Sequence, residues 1–449
     1  MAVSIESTAN DNKRSPFFLN NRQLWLNLVS ACLIGLVVIG GFYKTVLEGT
    51  PISRLYQLGQ RDTLFAKYFV PIREGYDASV YQFFVPSHEF LVSTLRKGTI
   101  PLWNPLVGCG EPFLADIETA TFWPLRLALL WMEPLRSWNL LIVINLLVFG
   151  IGTFLLGSLI HLRRFAAIFA ALLCAFSPFL IFHSELIGSS SSWIPLVIAS
   201  FIYAERARST LSKALAGAAC ATMIISGHPE PSFFGIVCAS LIYLLLRLLQ
   251  SQKKEFAFSF LKALAEIAII GLFAFGFAAP ILLPFFEHLR SSDCYKLGLV
   301  DHRSGVPINS ILVNLIHPAY EKCSPFFGVI ALPLVLTGCA LGIKRELYLR
   351  AFAICAVILI ALMSQLGPLD WLMNLKAFSW FVPKYCFPAL LVVLAVSCGY
   401  GMQEVIDGVS KDWKKTCYWL VGTSIAVLAG LIAIKFVPSL LECVRQDEA

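Results

Sequence analysis

The chain has 449 residues, of which 57% are hydrophobic and only 14% charged. A soluble domain carries roughly 25% charge, and the apolar residues here fall in runs of about 20, enough to cross a bilayer. These proportions exclude a soluble globular enzyme and point to an all-α polytopic membrane protein. The net charge of +7 is no nucleic-acid footprint, because the Lys and Arg residues form short clusters between apolar runs. No nucleic-acid partner is expected.

Taken in order, residues 1–23 are polar and carry Lys13, Arg14 and Arg22. No small-residue cleavage site follows the first apolar run, which is therefore expected to be a retained span, about Leu24 to Leu47. A long loop, 48–137, follows. Further spans are predicted at about 138–160, 165–183, 193–203, 213–226, 233–249 and 261–283. After a second long loop, 284–325, come spans at about 326–343, 350–366, 388–402 and 418–437, then a tail over 438–449. The expectation is one bundle, 24–437, of about eleven transmembrane helices.

Orientation follows from the short loops. With the N-terminus in the cytoplasm, the basic clusters at 163–164, 206–213, 247–254, 344–350 and 411–415 all fall inside. The loops 184–192 and 227–231 carry no Lys or Arg and fall outside. Both long loops then lie on the outer face of a cell membrane.

The first of these loops is the most unusual stretch. Gly98-Thr99-Ile100-Pro101 and Trp103-Asn104-Pro105 specify turns. The runs Val80 to Leu95 and Phe122 to Trp131 suit helices lying at a membrane surface. Among them stand Asp77, Gln82, His88, Glu111, Asp116 and Glu118, more polar groups than a linker needs. Asp77 fits two roles, N-cap of the helix that follows or carboxylate base. Asp116 and Glu118 lie two apart, so an extended segment would put them on one face. There they would orient an acceptor, assist the base, bind a divalent cation or simply face water.

Elsewhere, Gly227-His228-Pro229-Glu230 interrupts two apolar runs, and its His-Glu pair exceeds what a turn requires. His183 and Glu185 read as interfacial groups. In the second loop, Arg290 and Arg303 are candidate phosphate clamps, and His288, His302 and His317 add titratable groups. Lys384 either snorkels to the headgroups or holds a lipid phosphate. No nucleotide-phosphate loop is present. Outer-face chemistry lacks cytosolic nucleotides, so it would draw on an energised substrate such as a polyprenyl-phosphate-linked sugar. Its transfer needs a base for the acceptor hydroxyl and cations or amides for the departing phosphate. A transporter or lipid flippase is the second reading, favoured by charge at mid-span, where only Glu266 appears. A non-catalytic envelope-assembly factor is the third.

Asp77 with Tyr81-Gln82-Phe83-Phe84-Val85-Pro86, Gly98 with Pro101-Leu102-Trp103-Asn104-Pro105, and Gly110-Glu111-Pro112-Phe113 form a set of motifs. Together they resemble the first outer loop of the YfhO family of bacterial membrane proteins. Gly227-His228-Pro229-Glu230 is similar to that family's GHPQ segment, with Glu for Gln. Ser310 through His317-Pro318 to Phe327-Gly328, and Phe381-Val382-Pro383-Lys384-Tyr385, resemble later segments. The resemblance implies a GT-C-like bundle with interfacial helices in the first outer loop, and a bacterial inner-membrane location. It also implies an inverting glycosyltransferase that uses a polyprenyl-phosphate sugar and an envelope polymer or lipid acceptor, with Asp77 as base.

Overall fold

The computed structural model describes residues 21–48, 79–291, 330–366 and 381–436, with the single residues 306, 308, 311, 315, 327, 328 and 369. Most of those residues, 81%, are helical, and none lies in a strand. Helix α1 is Asn21–Gly41. A π-helical turn, Val80–Phe84, runs into α2, Val85–Arg96. The short α3 (Pro124–Ala128) follows and, after the Glu133 cap, the long α4 (Pro134–Leu159). The middle of the chain gives α5 (Arg164–Ala175), α6 (Pro178–Phe182), α7 (Gly188–Ser191), α8 (Ile194–Ala207) and α9 (Thr210–Ile225). Next come α10 (Pro229–Gln250) and α11 (Phe256–Ser291). The last four are α12 (Ala331–Gly342), α13 (Leu347–Met363), α14 (Phe387–Lys411) and α15 (Trp413–Phe436).

Five of these helices are long and apolar enough to cross a membrane, and four more are apolar but span only 10–17 residues. The chain is thus a helical membrane protein. The core is built on α4, α8, α10 and α14, which pack on one another with α5 and α13 against them. Small residues make the close crossings. A Cβ on Gly338 of α12 would lie 2.7 Å from the backbone nitrogen of Gly401 on α14, so the two helices touch backbone to backbone. Gly217 of α9 meets Phe273 and Ala274 of α11 in the same way. Helices α1, α11 and α15 present Leu36, Leu272 and Ile425 outward. Apolar faces of that kind are stable where lipid, not water, covers them.

Several sequence boundaries shift. The run 165–183 breaks at Phe176-Ser177, and Pro178 opens a new helix, α6. Pro284 was expected to begin the second outer loop. Instead α11 continues through Pro280 and Pro284 to Ser291, since in a membrane helix neighbouring groups compensate the backbone bonds a proline removes. Glu287, His288 and Arg290 therefore sit on the last helical turns. Of the surface helix expected over Phe122 to Trp131, only Pro124–Ala128 is helical.

Candidate functional site

The site lies where α10 begins. Gly227 has φ +127, open to glycine and strained for any other residue. It reverses the chain after α9, His228 takes the N-cap position, and Pro229 presets the first helical φ. Glu230 falls in the first turn, where the helix dipole favours a carboxylate. This sequence of residues places His228 and Glu230 side by side, with Nδ1 and Oε2 2.5 Å apart, an ion pair when the imidazole is protonated.

The first loop supplies the facing group. Residues Ile117–Thr119 form a 3₁₀ turn capped by Asp116, whose Oδ1 accepts from the Glu118 amide at 2.9 Å. The expected extended segment with a shared acidic face is therefore corrected: Asp116 spends its carboxylate on the cap, and only Glu118 points onward. Ala120 closes the turn at φ 47, a left-handed conformation that a non-glycine residue holds only under local constraint. The constraint is visible. The turn packs on Gly227, whose Cβ position would lie 3.6 Å from Ala120 Cβ and 3.7 Å from the Glu118 carbonyl. Glu118 Oε1 then stands 3.8 Å from His228 Nε2, beyond a direct hydrogen bond. One ligand atom from each of Glu118, His228 and Glu230 lies within 4.8 Å of the others. Two carboxylates and an imidazole are a donor set for a divalent cation.

A third segment completes the cluster. Pro383–Cys386 is a 3₁₀ turn leading into α14. The Tyr385 ring lies 4.9 Å from the His228 ring, and Lys384 Nζ lies 5.1 Å from the Tyr385 ring. Burial works against a charged His228, but the Glu230 carboxylate and then Glu118 outweigh it, with Lys384 opposing, so the imidazole titrates above its ordinary value. Burial pushes the Asp116 carboxyl up, against the pull of the Glu118 amide.

Behind this cluster lies a cleft lined by Glu118, His228, Trp123, Arg126, Trp138 and Glu185 among others. Arg126 is buried on α3 and donates from Nη1 to the Thr119 carbonyl, beneath the Glu118 turn. Its guanidinium carbon lies 5.6 Å from the Trp138 ring centroid, and burial lowers its pKa to about 10. Next to it, His88 is held by Ser137 Oγ at 2.8 Å, and burial, then the Arg126 charge, lower its pKa to about 3. His88 is therefore a neutral packing group.

Of the residues predicted from sequence, Glu118, His228, Glu230 and Lys384 are brought together. Asn104 is buried but occupied: its Oδ1 accepts from the Leu106 amide at 3.0 Å, and its backbone pairs with Glu111. Trp103 lies against Gly110 and is half exposed, Gln82 is exposed, and Arg290 is exposed on α11. Asp77, Asp301, His302, Arg303 and His317 lie outside the described residues. Cys109 is an exposed free thiol. His183 and Glu185, read as interfacial, are both buried. Arg126, Trp123, Trp138 and Asn145 were missed. A lone Arg inside the apolar run Pro124–Ala128 was the available signal.

Fold and site together define a helical membrane protein with a polar, titratable cleft at one end of its bundle. No protein-family model matches the chain, and no curated protein is similar to it in sequence.

Proposed function

We propose that the protein is an inverting membrane glycosyltransferase. It moves a sugar from a polyprenyl-phosphate donor to an envelope polymer or lipid acceptor on the extracytoplasmic face of a bacterial inner membrane. The observation that carries this reading is the meeting of three separate segments beside one cleft: Glu118 and His228 line it, Glu230 pairs with His228, and Lys384 stands by the Tyr385 ring that packs on His228. The motif resemblance to the YfhO family supports it.

In this reading an acceptor hydroxyl enters between Glu118 and His228. Glu230 orients the imidazole, as a carboxylate does for a catalytic histidine. His228 Nε2 takes the hydroxyl proton as the oxygen attacks the anomeric carbon. The new C–O bond forms while the bond from that carbon to the phosphate oxygen breaks, and polyprenyl phosphate leaves with the electron pair. Asp77 is the rival base, expected from the loop motif. A divalent cation held by Glu118, His228 and Glu230 would occupy the imidazole lone pair and pass the base role to Asp77. The test is consumption of a radiolabelled polyprenyl-phosphate sugar by purified protein, with and without chelator, in wild type, His228→Asn and Asp77→Asn. Loss in His228→Asn with chelator-insensitive activity supports the histidine base. Chelator sensitivity with loss in Asp77→Asn supports the cation and Asp77. No consumption by wild type under any condition removes the transferase reading.

A further inference from the structure

The cleft holds an unbalanced set of donors. Arg126 is 5% exposed and forms no ion pair among the described residues. Its Nε, and the indole Nε1 atoms of Trp123 and Trp138, have no hydrogen-bond partner among the described residues. All three side chains line the same cleft. A buried donor without a partner costs the desolvation of its N–H, and a buried cation without a counter-charge costs more. Three such groups around one space are the complement of an anion. A planar guanidinium beside N–H donors suits tetrahedral oxyanions, which accept several hydrogen bonds at once.

We infer that the Arg126 wall of the cleft is a phosphoryl subsite, with the N–H groups of Trp123 and Trp138 as its further donors. Resting on the proposed transferase reading, this assigns the subsite to the phosphate of the lipid carrier. Glu118 and Glu185 line the same cleft, and their carboxylates suit sugar hydroxyls. In this assignment the leaving oxygen faces Arg126 and the acceptor faces His228. A guanidinium there stabilises the charge that develops on the departing phosphate.

The experiment measures binding to the purified full chain in detergent of a polyprenyl phosphate, the uncharged polyprenol and inorganic phosphate. Wild type is compared with Arg126→Gln, Trp123→Phe and Trp138→Phe. The polyprenyl phosphate is expected to bind at least tenfold more tightly than the polyprenol. Arg126→Gln is expected to erase that difference, and each Trp→Phe variant to reduce it several-fold while polyprenol binding stays constant. The Phe variants keep the ring and lose only the N–H, so they remain informative if Arg126→Gln fails to fold. Equal binding of polyprenol and polyprenyl phosphate by wild type overturns the subsite, as does an undiminished preference in all three variants. Tighter binding of inorganic phosphate than of the lipid phosphate also overturns it, giving the cleft to a soluble anion. Arg126-dependent lipid-phosphate binding without sugar transfer would leave the subsite standing and remove the transferase. Transfer by a protein whose preference ignores Arg126 would do the reverse.

Discussion

The two ends of α10 carry charge in opposite conditions. At the first turn, His228 and Glu230 face Glu118 across a cleft, and Arg126 behind them has no carboxylate partner among the described residues. About 28 Å along the axis, at 1.5 Å per residue, Arg247 lies in a closed network. It meets Glu266 at 2.7 Å and Glu205 at 4.0 Å, while Tyr243 donates to Glu266 at 2.7 Å and Lys213 stands 3.4 Å from it. Four helices, α8 to α11, are tied together there. Buried charge that is fully paired binds helices to one another. Buried charge left open is available to a ligand. The mid-span Glu266, the one feature in the sequence that suited a transporter, belongs to the paired end.

Breaking the paired end should have the largest effect. Glu266→Ala takes away Lys213's partner and Arg247's nearest counter-charge, and removing one partner of a buried pair typically costs about 4 kcal/mol. Thermal melting of the detergent-solubilised protein should show it as a marked fall in Tm. Melting like the wild type would mean that the network is a bystander. At the open end, His228→Asn should instead leave melting within about 1 kcal/mol of wild type and lower transfer by roughly 10²–10⁴-fold, the usual contribution of a positioned base. Equal losses of stability and activity in both variants would erase the distinction between the ends.

Smaller in size but sharper in sign is the pH response. His228 titrates higher in the folded chain than its ordinary 6.5. Its contribution to stability is therefore fully present below pH 6.5 and is lost as pH rises through the folded value. Transfer, which needs the neutral imidazole, should rise over the same window. Glu230→Gln removes the main raising influence and leaves burial to lower the value, so the activity midpoint should move to lower pH. A midpoint that stays put or moves upward would show that Glu230 does not act on His228. Smallest of all, Gln82→Ala and Arg290→Ala should change melting by less than about 0.5 kcal/mol, as exposed positions generally do, with transfer within about twofold of wild type.

The helical membrane architecture was legible because hydropathy alone sets it: about 20 apolar residues must hide their backbone polar groups in helix. Helix ends were less so. Pro284 reads as a breaker in water, yet α11 passes through it. The turn Gly227-His228-Pro229-Glu230 was legible because each residue has one evident use there. Asp116 was half legible: two acids two apart look like a pair, and only the 3₁₀ turn shows one capping the other's amide. Arg126 escaped notice because its meaning depends on Trp138, a residue of α4 reached only through the fold, and on its having no carboxylate partner among the described residues.

Transfer from a polyprenyl-phosphate sugar on the outer face requires the cleft to open away from the cytoplasm. Cys109, exposed on the same loop as Glu118, is a native probe of that. Intact cells treated with a membrane-impermeant maleimide should label the wild-type chain at Cys109, shown by loss of that labelled site in Cys109→Ser. Labelling of Cys109 only after the membrane is opened would place the loop inside and contradict the account.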